Sequence, residues 1–387
     1  MVDLKAWLNQ QREGGRLRNL RPVIRRGNGR ITLAGDDDRE LLDFSSNDYL
    51  ALAEHPALIA AAQQALRRFG TGSGASRLMS GDLVIHHELE DAVARLKGKE
   101  AALTFGSGYM ANTGIIPALV GRHDLVFSDR LNHASIHDGC RLSGARLVRF
   151  HHNDLNHLED LLKKKQGATT PLIVVESIYS MDGDRCPLRE LVELKERFGC
   201  LLMVDEAHAT GVFGENGGGV SEEEGVSGAV DLAMGTFGKG LGSYGAYVAA
   251  NREMIEYLLN RARSFIFSTA LPPSVAAASL AAVGLIRQEP NLRRKLHEKI
   301  GYFKTLLRTG GYTADLGPSQ IIPILIGESK AALNKAHLLR QQGIFATAVR
   351  PPTVPNGTAR LRFSITSHHS TADLAQAAKA LLEVMDI

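Results

Sequence analysis

One apolar run that ends in an acid and a histidine decides the fold: residues 201–208 read Leu201-Leu-Met-Val-Asp205-Glu-Ala-His208. Four consecutive apolar residues are typical of a buried strand in a parallel sheet. An acid at the carboxyl end of such a strand points into the crevice where α/β proteins bind ligands. The structural alternative is a carboxylate that only caps a loop. We therefore predict a ligand site at Asp205.

A lysine among glycines follows the next apolar run, in the segment Thr236-Phe-Gly-Lys239-Gly-Leu-Gly242. No acid stands beside this lysine in the sequence, so a solvated surface charge explains it poorly. The spacing from Gly235 to Lys239 also differs from that of the nucleotide-binding loop GxxxxGK[ST]. We predict that Lys239 has a chemical role at the same edge of the sheet.

A third glycine-rich turn, Gly106-Ser-Gly108-Tyr-Met-Ala111, follows an apolar run and opens a helical pattern. With Asp129 further along, it loosely matches a dinucleotide-binding fingerprint, and alone that match is weak. The N–H groups at a helix N-terminus can bind a phosphate of any origin. The turn therefore predicts a phosphate site without identifying the ligand.

Helical patterns alternate with short apolar runs over most of the chain, which indicates an α/β protein with a mostly parallel sheet covered on both faces. Early helices are predicted at Pro56–Phe69 and Leu83–Leu96. Seven strands are predicted, at Ala101–Phe105, Leu125–Ser128, Arg146–Phe150, Leu172–Glu176, Cys200–Asp205, Leu232–Gly235 and Ala246–Ala250. We expect three parts: an N-terminal arm of a helix and short strands (1–46), a large domain (47–288) and a smaller α+β domain (289–387).

Composition excludes several classes of protein. The 387 residues include 45 Lys plus Arg and 42 Asp plus Glu, and this near balance gives no sign of a nucleic-acid partner. No apolar run is long enough to span a membrane, and the first residues lack the apolar segment of a signal peptide. The three cysteines form no CxxC pair, so we expect a cytoplasmic protein.

The segment from Arg12 to Arg30 is the most one-sided in charge, with seven arginines and a single acid, Glu13. One interpretation is a solvated surface. The other is a site for an anionic ligand, such as a thioester carrier with phosphates.

A phosphate-binding turn, a strand-end acid and a lysine in a glycine turn are together what pyridoxal 5′-phosphate requires: backbone donors, a partner for the ring nitrogen and an amine for the aldehyde. With these motifs in place, the sequence resembles the fold-type I (aspartate aminotransferase-like) enzymes, and within them the α-oxoamine synthases. That family joins an amino acid to an acyl thioester and releases carbon dioxide. The strings that carry the resemblance are Arg21-Pro-Val, Asp43-Phe-Ser-Ser-Asn47-Asp-Tyr49-Leu, Thr71-Gly-Ser-Gly-Ala-Ser-Arg77, Asn132-His133-Ala-Ser, Ser180-Met-Asp-Gly-Asp, Asp205-Glu-Ala-His208-Ala-Thr-Gly and Thr236-Phe-Gly-Lys239.

The resemblance implies cofactor roles. Lys239 would form the Schiff base and remove the substrate α-proton, Asp205 would hold the ring N–H, and His133 would stack on the ring and assist proton transfers. His208 and Ser180 would lie near the phenolic oxygen. Phosphate contacts are expected from Gly108, Tyr109 and Thr236. Gly240-Leu241 departs slightly from the family pattern, which commonly has an aromatic residue or Ala there.

The resemblance also implies the substrates and the residues that bind them. The closest match is to members of the family that condense L-alanine with a pimeloyl thioester in biotin biosynthesis. Arg362 is expected to bind the amino-acid carboxylate, although Arg360 shares its strand face and stays open. Further substrate contacts are expected from Arg21, Asn47, His133 and Thr353. The carrier, coenzyme A or acyl carrier protein, stays open. A homodimer is expected, with the Thr71–Ser76 loop serving the other subunit.

Other interpretations stay open at this point. A sister synthase that uses glycine or serine would share Lys239, Asp205 and His133. An aminotransferase would share the fold and the lysine but would need no thioester, and a non-enzymatic domain would need neither Lys239 nor Asp205. His133 could be a plain helix cap. No histidine pair is accompanied by a third metal ligand, so we predict no metal.

Overall fold

The computed structural model describes residues 2–36, 39–164 and 170–387. Packing of the chain defines two compact units. Unit 1 comprises Met1–Ala51, Ser180–Asp184 and Arg294–Ile387, and unit 2 comprises Leu52–Tyr179 and Arg185–Arg293. The three-part domain division stays a prediction, and in these units the N-terminal arm packs with the C-terminal residues.

In chain order the helices and strands of the described residues are α1 Leu4–Glu13, β1 Val23–Gly27, β2 Arg30–Leu33, β3 Glu40–Asp43, α2 Pro56–Phe69, α3 Val84–Lys97, β4 Ala101–Phe105, α4 Gly108–Leu119, β5 Leu125–Asp129, α5 Ala134–Ser143, β6 Arg146–Phe150, α6 Leu155–Lys163, β7 Leu172–Glu176, α7 Leu188–Phe198, β8 Leu201–Asp205, α8 Val220–Glu223, β9 Leu232–Thr236, β10 Ala246–Ala250, α9 Arg252–Arg261, α10 Arg263–Ile266, α11 Pro273–Gln288, α12 Asn291–Thr309, β11 Ile321–Gly327, α13 Ser329–Gln341, β12 Ile344–Phe345, β13 Thr347–Val349, β14 Ala359–Ser364 and α14 Thr371–Met385.

Unit 2 contains the predicted seven-stranded sheet, in the order β4-β10-β9-β8-β7-β5-β6. The neighbours from β9 to β6 are all parallel, and β10 is antiparallel to both β4 and β9. The prediction of a mostly parallel sheet is therefore confirmed. Its register pairs Glu176 with Asp205 and Asp205 with Met234, so the carboxyl ends of β7, β8 and β9 lie side by side.

The core of unit 2 explains why these runs became strands. Strands β7 and β10 are buried along their whole length, as expected for strands covered on both faces. Helix α4 packs Ile115 and Ile116, both fully buried, against this core. Its first turn is capped by Ser107, whose side chain accepts a hydrogen bond from Met110 N–H at 3.2 Å. The cap fixes where the helix starts relative to the sheet edge.

Unit 1 contains two smaller sheets, in the orders β1-β2-β3-β12 and β11-β14-β13. The three N-terminal strands pair with one another in sequence order, and a distant segment adds the fourth strand, because β12 pairs in parallel with β3, Ile344 opposite Leu42. In the second sheet β14 is central and fully buried, antiparallel to both neighbours. None of the described helices combines the length and apolar content needed to cross a membrane.

Candidate active site

Asp205 ends β8 as a buried carboxylate, 4% exposed. Its Oδ1 accepts the N–H of Ala207 at 2.9 Å, and its Oδ2 accepts Nδ2 of Asn112 at 3.0 Å. Among the ion pairs of the described residues, none involves Asp205. Burial of a carboxylate is costly unless a cation or several donors compensate it. The position therefore fits a cationic group such as a protonated ring nitrogen.

A chain of hydrogen bonds joins Asp205 to His133. Asn112 Nδ2 also donates to Ser135 Oγ at 2.9 Å, and Ser135 Oγ lies 2.7 Å from His133 Nδ1. Because both amide hydrogens of Asn112 donate to oxygen, the Ser135 hydroxyl is left to donate to Nδ1, which also accepts the Ser135 backbone N–H at 3.3 Å. This assignment places the proton of the neutral imidazole on Nε2.

His133 is held firmly at the sheet edge. Its backbone N–H donates to the Glu176 carboxylate, and the preceding Asn132 donates to the carbonyl of Val174 at 2.7 Å and to Ser128 Oγ at 2.8 Å. Burial lowers the pKa of His133; the charge of Asp205 opposes this effect. The His133 side chain also caps the N-terminus of α5, as the capping interpretation expects. Capping accounts for Nδ1 and leaves Nε2–H for another partner.

Lys239 is half-buried in the turn after β9. The turn is closed by Gly242 N–H on the Lys239 carbonyl at 2.9 Å, and by Thr236 Oγ1, which donates to Gly245 O at 2.7 Å and accepts Gly238 N–H at 3.1 Å. A Cβ at position 240 would lie 2.6 Å from the carbonyl oxygen of Thr210, so the departure at Gly240 has a packing reason. The lysine is thus carried by a turn with fixed geometry.

The start of α4 has the backbone donors expected of the predicted phosphate site. The first N–H groups of a helix, here those of Gly108 and Tyr109, have no acceptor within the helix. A Cβ added at Gly108 would lie 3.7 Å from Met234 Cε, so the helix begins beside β9, the strand that leads to Lys239. The Tyr109 side chain is half-exposed, and its hydroxyl donates to Asp138. The donor set fits an anionic ligand.

The weak dinucleotide match is not supported. Asp129, its acid, is fully buried and accepts the N–H groups of Leu131 at 2.8 Å and Asn153 at 2.9 Å. It also pairs with His152 at 3.0 Å. Through these contacts Asp129 joins the loops that follow β5 and β6. His208, by contrast, is buried in the turn just after Asp205, where the sequence placed it.

Arg362 lies on β14 in unit 1 and is buried among neutral partners. Its guanidinium donates to the Ser180 carbonyl at 2.7 Å, to Ser364 Oγ at 2.7 Å and to Asn47 Oδ1 at 3.2 Å. Arg360 instead pairs with the carboxylate of Asp182. Of the two arginines, Arg362 is therefore the one whose charge is not matched by an acid of the described chain. Ser180, expected near the cofactor, belongs to unit 1 beside Arg362.

Four of the seven arginines in the run fall into two groups. Arg26 and Arg30 reach acids, Asp48 at 3.7 Å and Asp373 at 2.8 Å. One cavity of about 590 Å³ is lined by Arg12 and Arg21 of the run and by Arg350 from a distant part of unit 1, and its walls are polar and apolar in similar measure. No described acid forms an ion pair with any of these three.

Thr353 lies at the edge of this arginine group. Its hydroxyl accepts a hydrogen bond from Arg18 at 2.8 Å, and its N–H donates to the carbonyl of Arg350 at 3.1 Å. Burial and then the charges of Arg18 and Arg21 lower the pKa of Arg350. Crowded cations of this kind favour an anionic ligand.

Two contributors to the site were missed from the sequence, Asn112 and Ser135. Asn112 lies four residues after Gly108, on the same face of α4, a spacing that could have suggested it. Ser135 stands in the quoted string Asn132-His133-Ala-Ser but had no role assigned.

The sequence and fold match known proteins over nearly the whole chain. A family model, aminotransferase class I and II, matches residues 39–381. The 8-amino-7-oxononanoate synthase of Geobacter sulfurreducens is 51% identical over 97% of this chain and 96% of its own, and that of Pelobacter propionicus is 50% identical over the same shares. Among solved structures, a Sphingomonas wittichii serine palmitoyltransferase has a TM-score of 0.93 at 32% identity, covering 99% of this chain and 97% of its own. An 8-amino-7-oxononanoate synthase from Francisella tularensis has a TM-score of 0.77 at 29% identity, covering 91% and 99%.

The chain therefore belongs to the class I and II aminotransferase family, the fold-type I enzymes that use pyridoxal 5′-phosphate. Asp205, Lys239 and the start of α4 supply the donor and acceptor types that this cofactor needs. Within the family the chain is an acyltransferase of the 8-amino-7-oxononanoate synthase group.

Proposed function

We propose that the protein condenses L-alanine with a pimeloyl thioester, with loss of carbon dioxide and the carrier thiol, to give 8-amino-7-oxononanoate. The observation that carries the proposal is the roughly 50% identity to synthases of that name over nearly the full chain, together with a buried acid, a lysine turn and a neutral histidine at one sheet edge. A biotin-pathway role follows from this reaction.

Each residue of unit 2 has a defined task in this proposal. When bound, pyridoxal 5′-phosphate supplies a cationic ring that delocalises the electron pair left by the α-proton or the carboxylate. Asp205 would hold the protonated ring nitrogen, and Lys239 would hold the cofactor aldehyde through its amine and, as a free amine, would serve as the base for the α-proton of the amino acid. His133 and His208 donate hydrogen bonds, His133 through Nε2–H. Backbone N–H groups at Gly108 and Tyr109, with Thr236, hold the phosphate, and Ser180 stays a predicted cofactor contact.

Residues of unit 1 are proposed to bind the substrates and so determine the specificity of the enzyme. Arg362 binds the α-carboxylate through its planar guanidinium, with Asn47 holding that guanidinium in place. Arg21 and Thr353 bind the thioester. Support comes from the cavity of about 590 Å³, where apolar side chains such as Leu333 and Phe345 suit an acyl chain and the arginines suit its carboxylate or the carrier phosphates. Which carrier is used is left to the assay.

The second candidate is a sister synthase that uses serine or glycine. It is favoured by one observation, the TM-score of 0.93 to serine palmitoyltransferase. Both candidates are separated by one experiment: the reconstituted enzyme receives alanine, glycine or serine with pimeloyl or palmitoyl thioesters of coenzyme A and acyl carrier protein, and products are identified by mass. We expect turnover with alanine and pimeloyl thioester. Preference for serine with the palmitoyl thioester would overturn the proposal.

A separate experiment tests the cofactor lysine. Borohydride should fix the cofactor covalently to the peptide that contains Lys239, and Lys239→Ala should remove the label. The matched control is Lys195→Ala, whose lysine is partly buried in the same unit. A label on any other lysine would refute the assignment.

We also propose a homodimer. Apolar side chains of the N-terminal arm are exposed in the single chain, with Leu20 at 99% and Ile24 at 56%, and the Thr71–Ser76 loop is proposed to serve the other subunit. The cytoplasmic location stays a prediction; the three cysteines are buried and form no disulfide. Sedimentation at assay concentration should give a dimer, and a fully active monomer would contradict this.

A further inference from the structure

A buried ion pair lies directly behind Asp205 and has no task in the proposed reaction. Lys97, the last residue of α3, and Glu206, the residue after Asp205, have side chains that are 1% and 0% exposed. Lys97 Nζ donates to Glu206 Oε2 and to the carbonyl of Gly218. The Glu206 carboxylate also accepts the N–H and the hydroxyl of Ser221, each at 2.9 Å. Four donor–acceptor contacts therefore hold one buried charge pair.

The neighbouring chain is shaped to make room for this pair. Gly219 has φ of +109°, and a Cβ there would lie 2.5 Å from Glu206 Oε1. A Cβ at Gly218 would lie 2.8 Å from the carbonyl of Leu96. Both positions require glycine, Gly219 because the ion pair fills the space and Gly218 because the end of α3 does.

The pair immobilises the segment that carries two proposed cofactor residues. Glu206 N–H donates to the Met234 carbonyl at 2.7 Å, and the Glu206 carbonyl accepts the N–H and the hydroxyl of Thr210 at 2.9 and 3.0 Å. Glu206 is thus fixed through its side chain and both of its backbone groups. Asp205 precedes it and His208 follows it by two residues.

Burying two charges contributes little to stability on average, because desolvation offsets their attraction, and such pairs are best attested as devices that specify one geometry. We propose that Lys97 and Glu206 are positioning residues that hold Asp205 and His208 in place for the cofactor. The inference rests on the cofactor roles given to Asp205 and His208 under the proposed function.

The test compares Lys97→Met and Glu206→Gln with the control Lys195→Met. Lys195 pairs with Asp231 at 3.2 Å, and Asp231 accepts Leu202 N–H at 2.7 Å, so the control removes an ion pair at the opposite end of β8. Each protein is stripped of cofactor and reconstituted. Three quantities are measured: the thermal midpoint, the dissociation constant for pyridoxal 5′-phosphate, and the pH titration of the visible absorbance.

We expect Lys97→Met and Glu206→Gln to weaken cofactor binding about 10- to 100-fold, as removal of outer partners does for metal ligands, and to shift the absorbance titration. Lys195→Met should lower the thermal midpoint and leave both cofactor readouts at the wild-type values. If Lys97→Met fails to fold, Glu206→Gln decides by the same readouts.

Cofactor binding and titration unchanged in both test variants, with stability lowered as in the control, would show a purely structural role and overturn the inference. Failure of the wild-type protein to bind pyridoxal 5′-phosphate would instead refute the site assignment itself, so the two failures are distinguishable.

Discussion

Asp205→Asn removes a charge and keeps nearly the same shape. The amide oxygen of the variant can still accept the Ala207 N–H, which lies 2.9 Å from Asp205 Oδ1 in the wild-type chain. The other contact reverses, since an amide would face Nδ2 of Asn112. Asn112 can adapt by turning its own amide, because its Oδ1 is buried without a hydrogen-bond partner in the described chain; the Ser135 hydroxyl then donates to Asn112 instead of His133. We therefore expect a folded protein that still binds cofactor.

The catalytic loss follows from the missing charge. At a charge-assisted hydrogen-bond distance of about 2.8 Å and an effective dielectric constant of about 20, a carboxylate attracts a ring cation by about 6 kcal/mol before desolvation is subtracted. If desolvation cancels roughly a third of that attraction, the net stabilisation of the wild-type transition state is about 4 kcal/mol. Its loss in the variant lowers the rate on the order of 10³-fold.

The assay measures product formation from alanine and pimeloyl thioester, with cofactor binding followed by absorbance. Asp231→Asn is the matched control, because Asp231 accepts the N–H of Leu202 at the other end of β8. We expect the control to keep wild-type turnover. Turnover of Asp205→Asn within about threefold of wild type, a change too small for a lost charge pair, would refute the role of Asp205.

Three further predictions concern unit 1. Arg362→Lys should raise KM for the amino acid about tenfold or more, because a bidentate contact is lost, while Arg360→Lys should not; the reverse result would move the carboxylate site to Arg360. Arg21→Ala should raise KM for the thioester about fivefold or more and leave the absorbance change on adding alanine intact, and loss of that alanine response instead would assign Arg21 to the amino-acid side. Burial lowers the pKa of His369 to about 4, so the unfolded chain binds the extra proton first as pH falls from about 6.5 to 4. Stability should then fall by up to about 3 kcal/mol over that range in urea titrations, less so in His369→Gln, and equal slopes would contradict this cause.

The local elements were largely predictable from the sequence. Strands β4, β6, β7 and β10 and helix α2 have the predicted bounds, because each is an apolar or amphipathic run bounded by turn or capping residues. The four-stranded sheet of unit 1, β1-β2-β3-β12, could not be predicted from local sequence. Its closing pair, Leu42 with Ile344, joins segments far apart in the chain, and neither segment carries a pairing signal of its own.

The site residues likewise fall into those that the local sequence predicts and those that depend on contacts between distant segments. A strand-end acid and a lysine among glycines are visible in a sequence because their chemistry depends on local context. The Asn112–Ser135 connection and the tautomer of His133 depend on which atoms meet across α4 and α5. The choice between the two arginines of β14 likewise depended on Asp182, an acid from another segment.

Alanine labelled with ¹³C in its carboxyl group tests the central proposal most directly. The enzyme, with its cofactor and a pimeloyl thioester, should release one labelled carbon dioxide for each 8-amino-7-oxononanoate formed, and the product should carry no label. Labelled pyruvate without labelled carbon dioxide would identify an aminotransferase and contradict the account.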